Sequence, residues 1–404
     1  MLDQPIKTGP RGGAQLLETL GEIQSDSLLA LIAMTNADPR PDKIDVGVGV
    51  YRDGAGNTPI LRALKAAEQL LWERQETKSY IGSRGDLRFV ELLRPFLLGR
   101  HAGDDRIQGL QTPGGCGALS LGFKLIGVAR PNAKVLVGTP TWPNHIPVIE
   151  AAGLSLSKYA YYDRLQTRIR FDEMIAALEG ADAGDAVLLH GCCHNPTGAD
   201  LDQAQWADVV EVVARKGLLP LVDIAYQGLG LGFAEDSAGL HLLLDACDEV
   251  IIAQSCDKNF GVYRDRVGSM FVKTARVAST ELALTHLAQI AREMWSMPPD
   301  HGAAAVRIVL ETPELREDWE AEVGEMRDRI NRIRRQIAAA DPRLAYIKDQ
   351  FGMFSMLPVT PEQVVQLREQ HAIYMADSGR FSVIGMADAA VDRFIAAVVE
   401  AMNG

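Results

Sequence analysis

Cysteines are few, basic residues are in deficit and long apolar runs are missing, and each shortage closes a class of function. The five cysteines, Cys116, Cys192, Cys193, Cys247 and Cys256, show no zinc or disulfide-framework spacing and read as reduced thiols. Lys and Arg number 41 against 53 Asp and Glu, a net charge of −12, whereas nucleic-acid binding needs clustered cations. A small anion stays open as a ligand, because a few focused arginines outweigh a distant net charge. The longest apolar stretch near the N-terminus, 28–34, is far short of the roughly 18 residues of a membrane span. Lys7 and Arg11 are followed by Gly12-Gly13, Glu18 and Glu22, not by the apolar core of a signal peptide. The expectation is a cytoplasmic protein with no membrane or nucleic-acid partner. Repeats, low-complexity segments and Pro-, Gly- or Ser-rich linkers are missing too. There is no G-x-x-x-x-G-K-[ST] loop, and Gly228-Leu229-Gly230-Leu231-Gly232 lacks the dinucleotide spacing G-x-G-x-x-G.

What is present is an alternation. At about 150 residues per domain, 404 residues make two domains. Short apolar runs at 134–138, 186–190, 218–224, 249–254 and 267–273 read as strands. Between two of them, 202–216 carries Trp206, Val209, Val210 and Val213 on one face and stops at Gly217, an amphipathic helix with a C′ glycine. Strand, helix, strand at this spacing predicts an α/β fold whose mostly parallel sheet is covered on both faces. Ligands in such sheets bind at the carboxyl ends of the strands. Beyond Pro313, Trp319, Val323, Met326, Ile330, Ile333 and Ile337 step by three or four residues, a long helix with one apolar packing seam. It leads into a smaller part: a large domain at 57–315 and a small α/β domain made of both chain ends, 1–56 and 316–404.

Four segments that follow strands carry chemistry. Lys258 lies in Ser255-Cys256-Asp257-Lys258-Asn259-Phe260-Gly261, directly after an apolar run. An ammonium is costly to bury, but a neutral amine there forms a Schiff base with an aldehyde. Alone, Lys258 reads as a surface lysine. Asp223 with Tyr226-Gln227-Gly228, the run from Cys192 to Gly198 containing Asn195, and Thr139-Pro140-Thr141-Trp142-Pro143 change that reading. Neighbouring strands bring together a carboxylate, a phenol, an amide, an indole and an amine, with Arg266 eight residues after Lys258. The set matches what pyridoxal 5′-phosphate requires. Cys192-Cys193-His194 is not a metal set, since adjacent cysteines do not easily face one ion, and no metal is expected. His190 and His145 read as partners of Asp223.

In chain order, Val46 to Tyr51, Lys78-Ser79-Tyr80, Thr112 to Gly115, Trp142 to His145, His190 to Gly198, Asp223 to Gly228, Ser255 to Arg266, Pro298-Pro299 and Ser378-Gly379-Arg380 resemble the fold-type I aminotransferases, specifically the aspartate and aromatic amino acid subgroup. The resemblance implies that Lys258 holds the cofactor and moves the substrate proton. It implies that Asp223 pairs with the pyridine nitrogen, that Tyr226 and Asn195 bond the ring oxygen, and that Trp142 stacks on the ring. Gly115, Cys116, Ser255 and Arg266 would hold the phosphate, with Tyr80 reaching it from the other subunit of a homodimer with shared active sites. Gly49, Trp142 and Asn195 would contact substrate; Arg380 would clamp the α-carboxylate and Arg292 the distal carboxylate of a dicarboxylic substrate. Without the resemblance, Arg292 reads as a solvated charge on a helix at 283–293. Two positions depart from the family pattern: Cys116 replaces the usual Thr, and Asp257 replaces a small hydroxyl residue before the lysine.

The implied activity is a ping-pong transaminase that passes the amino group of an amino acid to 2-oxoglutarate. Aspartate is favoured as donor, with tyrosine and phenylalanine as the alternative. A non-catalytic scaffold of the same fold, or other pyridoxal chemistry such as β-elimination, are the competing classes.

Overall fold

The computed structural model describes residues 27–403, together with Leu17, Leu20 and Gly21. The expectations for residues 1–26, including most of the N-terminal text from Lys7 to Glu22, therefore lie almost wholly outside the described residues.

Seven strands form one sheet: β1 (Ile107–Pro113), β2 (Lys134–Thr139), β3 (Ser155–Ala160), β4 (Ala186–His190), β5 (Leu219–Ile224), β6 (Val250–Ser255) and β7 (Val267–Lys273). Their order is β1-β7-β6-β5-β4-β2-β3. Only β7 runs against its neighbours, pairing antiparallel with both β1 and β6. The five expected strands are all present, to within a residue at each end. Their residues read as continuous apolar runs because β6 and β7 are buried along their whole length, as strands covered on both faces must be. β1 and β3 were not expected. β1 carries Gln108, Gln111 and Thr112, and buries the last two; β3 is an edge strand with exposed or half-exposed Ser155, Leu156, Ser157 and Lys158. Neither has the apolar signature of a central strand.

The expected helix after β4 is α2 (Gln203–Lys216), preceded here by α1 (Gly114–Ala129). Asp202 caps α2 in a reciprocal box with Gln205, and Gly217 closes it in the left-handed conformation at φ 64°. Further on come α3 (Val277–Trp295) and α4 (Pro313–Ala340). All six seam residues of α4 are buried. Trp319 stacks on Phe260, with ring centroids 4.2 Å apart, and its Nε1 donates to the Asn259 carbonyl at 2.8 Å. The seam thus clamps the loop that carries Lys258. Replacing Trp319 by Ala is expected to cost about 3–5 kcal/mol in a denaturant melt, against about 1 kcal/mol for Trp319→Phe, which loses mainly the hydrogen bond.

The two chain ends meet where Ile44–Asp45 lies parallel to Ile373–Tyr374, and within the C-terminal part Phe354–Met356 pairs antiparallel with Arg380–Ser382. Among the described residues no helix is long and apolar enough to cross a membrane.

Candidate active site

β4, β5 and β6 end at one edge of the sheet. Because β7 is antiparallel, its first residue arrives at that same edge, with Val267 opposite Pro113 and Gly268 opposite Ser255. The loops at this edge line one cleft. Gly115 and Cys116 reach it from the start of α1, Trp142 from the turn after β2, and Asn195 from the loop after β4. Asp223, Tyr226, Ser255, Lys258 and Arg266 line the same cavity, which thus gathers the expected cofactor residues other than Tyr80.

The electrostatics follow from burial and contacts. Asp223 Oδ2 accepts from His145 Nε2 at 3.0 Å, and His145 Nδ1 meets Thr141 Oγ1 at 2.7 Å. Burial is the largest single influence and works against the Asp223 charge, but the His145 bond together with the electrostatic pull of the His145, His190 and Lys258 side chains outweighs it and leaves the carboxyl below its usual range. His190 stands opposite Asp223 in the strand register and packs 5.1 Å from the His145 ring. Burial pushes its pKa down to about 3, so it is a neutral ring in the cleft wall. Lys258 is pulled below the ordinary lysine value by desolvation, with Asp257 opposing that shift and Arg266 adding to it. Its Nζ lies 5.5 Å from the centre of the Tyr226 ring. Asn195 Nδ2 donates to the Tyr226 hydroxyl at 3.3 Å, while Asn195 Oδ1 is buried without a hydrogen-bond partner.

The other expected residues stand elsewhere. Arg380 Nη2 donates to the Gly47 carbonyl at 2.8 Å, and its guanidinium lies 4.8 Å over the Phe354 ring. Phe354 in turn meets Tyr226 edge to face at 6.2 Å, so one aromatic ring joins Arg380 to the cleft. A Cβ on Gly49 would come within 2.7 Å of Phe354, which places Gly49 against that same ring. Arg292 is exposed in the last turn of α3, and Tyr80 is 90% exposed; neither lines the cleft. Sequence reasoning missed Phe354, Leu119 and Ala225, whose apolar identity carries no chemical signal. His194 does not join Cys192 and Cys193, since its Nδ1 meets Thr197 Oγ1 and its ring stacks on Tyr161. Asp236 approaches the two thiols, but its oxygens already accept backbone N–H groups of Gly228, Gly230 and Leu231.

A mostly parallel α/β sheet with an amine, a carboxylate and a guanidinium at its carboxyl edge defines an enzyme of the fold-type I pyridoxal-phosphate class. The chain belongs to the class I and II aminotransferases, whose family model matches residues 41–398. It is 48% identical over 376 residues to the tyrosine aminotransferase of Rhizobium meliloti (strain 1021), covering 92% of this chain and 96% of that protein. The aspartate aminotransferase of Escherichia coli (strain K12) is 40% identical over 380 residues, covering 92% and 96%. Among solved structures, the aromatic-amino-acid aminotransferase of Burkholderia pseudomallei, described as covalently bound to pyridoxal phosphate, superposes with a TM-score of 0.93. That pair is 37% identical, covering 96% of this chain and 99% of the other.

The residues present fit the cofactor. Gly114 has φ 66°, and a Cβ there would lie 2.6 Å from Arg266 Nη2; a Cβ on Gly115 would lie 3.0 Å from Ser255 Cβ. The bare backbone and the first N–H groups of α1 thus make an anion seat beside a guanidinium. The orphaned Asn195 Oδ1 is a buried polar atom that a ligand can engage.

Proposed function

We propose that this aminotransferase moves the amino group of aromatic amino acids and of aspartate to 2-oxoglutarate. The gathering of eight expected cofactor residues, from Gly115 to Arg266, around Lys258 in one cleft is the observation that carries this reading. Relatives named for tyrosine or aromatic substrates at 36–48% identity, beside those named for aspartate at 36–40%, support both donors, and the three at 42–48% favour the aromatic ones.

When bound, pyridoxal phosphate supplies an electron-withdrawing ring that takes up the charge left at the substrate Cα. Arg266, Ser255, Cys116 and the N–H groups beginning at Gly115 would hold its phosphate. Trp142 would face the ring, and Tyr226 with Asn195 would bond its oxygen. Asp223, kept ionised by His145, would hold a proton at the ring nitrogen. Lys258 Nζ takes the proton from Cα; its lowered proton affinity leaves more of the amine neutral, the form a base requires. Arg380 orients the substrate α-carboxylate through two parallel bonds. Gly49 leaves room beside Phe354 for the substrate.

Arg292 and Tyr80 act in this reading across a homodimer interface, on the partner's cleft. Their exposure, and that of Trp72 at 82%, supports a covered surface in the assembly. The pairing of Ile44–Asp45 with Ile373–Tyr374 supports the division into 57–315 and 1–56 with 316–404. The five free cysteines support a reducing, cytoplasmic setting.

Single-turnover conversion of the cofactor to its amine form, followed by absorbance with aspartate, glutamate, tyrosine and phenylalanine in parallel, tests the proposal. Conversion by tyrosine, phenylalanine and aspartate is expected, and inertness toward all of them overturns it. Arg292→Ala should lower kcat/KM for aspartate by about 10²-fold, the loss of one bidentate ion pair, and barely alter tyrosine. Equal losses for both would remove Arg292 from the site.

A further inference from the structure

Asp257 is a cleft residue to which the reaction gives no task. It stands immediately before Lys258, is 1% exposed and lines the cavity. Its Oδ2 accepts from Arg266 Nη1, its Oδ1 accepts from the Val267 N–H at 3.1 Å, and its own N–H donates to Ser255 Oγ at 3.2 Å. Arg266 is the guanidinium of the cleft lining, and its Nη1 also donates to the Tyr263 carbonyl at 3.1 Å. One terminal nitrogen is therefore committed to the chain, and Nη2, facing Gly114, is left for an anion. A carboxylate fixed on the same guanidinium cancels much of the positive field of the seat. Asp257 does so from a buried position, although the Arg266 side chain is itself 42% exposed.

We propose that Asp257 sets the grip on the cofactor phosphate low: it competes with the phosphate for Arg266, so the cofactor exchanges readily with solution. The inference rests on the cleft being the pyridoxal-phosphate site. Two anions share one cation, and their mutual repulsion weakens the one that can leave. The remaining hold comes from Ser255, Nη2 and the N–H groups at the start of α1. If Asp257 merely oriented Arg266, removing it would weaken phosphate binding; competition predicts the opposite sign.

Wild type, Asp257→Asn and Asp257→Ser, each stripped of cofactor and checked by thermal melting, are titrated with inorganic phosphate by calorimetry. Pyridoxal phosphate uptake and release are followed by absorbance. The folded variants should bind inorganic phosphate about tenfold tighter than wild type and release the cofactor correspondingly more slowly. Affinity equal to or weaker than wild type in every folded variant overturns the proposal. Should wild type take up no pyridoxal phosphate, the cleft reading falls as well. Should it take up cofactor while the variants bind phosphate no tighter, only the role of Asp257 falls.

Discussion

Replacing Lys258 by alanine lowers turnover by about 10⁴-fold or more and leaves the chain folded. The size follows from the geometry. Within the cleft lining Lys258 carries the one primary amine, and no other side chain there combines a neutral nitrogen base with reach toward a bound substrate. His190 comes nearest in kind, yet its proton affinity is too low for a base, at a pKa of about 3. The fold survives because the loop is held by its neighbours: Asn259 Nδ2 donates to the Gln227 carbonyl at 3.1 Å, and Trp319 Nε1 to the Asn259 carbonyl at 2.8 Å. Removing a desolvated amine also relieves a cost. Lys258→Arg should lose as much, since a guanidinium keeps its proton and cannot act as a base. Single-turnover kinetics, thermal melting and borohydride labelling check the three parts. Borohydride should tie the cofactor to wild type and not to the alanine variant. Activity within tenfold of wild type would remove Lys258 from the reaction.

The same cleft marks what sequence reasoning reaches. The central strands were readable because burial on both faces demands apolar runs, and the chemistry sits in the loops that follow them. Asp223 and Lys258 stand near or just beyond the ends of β5 and β6, so placing the strands placed the residues. β1 and β3 escaped because Gln111 and Thr112 are buried polar residues and Lys158 lies on an edge. The Asp257–Arg266 pair escaped for a different reason. The two stand nine positions apart, and they meet only because the chain doubles back at Arg266, with φ 56°, to start the antiparallel β7. Phe354 comes from a strand on the far side of the molecule's connectivity, and only tertiary packing brings it between Arg380 and Tyr226. Tyr80 and Arg292 are exposed in the chain, where no local pattern distinguishes them from other surface residues.

Asp223→Asn is expected to lower kcat by about 10²–10³-fold while cofactor uptake persists. The amide keeps the shape and one acceptor but not the charge that holds a proton at the ring nitrogen, whereas the phosphate seat at Gly114, Gly115, Ser255 and Arg266 is untouched. The wild-type carboxyl lies below its usual range although buried, because His145 Nε2 donates to it at 3.0 Å. It therefore stays ionised throughout the neutral and mildly acidic range, and its titration leaves no limb in the rate profile there. Removing that donor reverses the balance. In His145→Ala burial is opposed only by the smaller influences of His190 and Lys258, so the carboxyl value rises, and activity should fall as pH drops through the raised value. A structural role for His145 would instead lower the rate evenly at every pH. Measuring kcat against pH for wild type and both variants separates the cases. A flat profile in His145→Ala, or an Asp223→Asn variant within threefold of wild type, would show that the ring nitrogen is held by some other group.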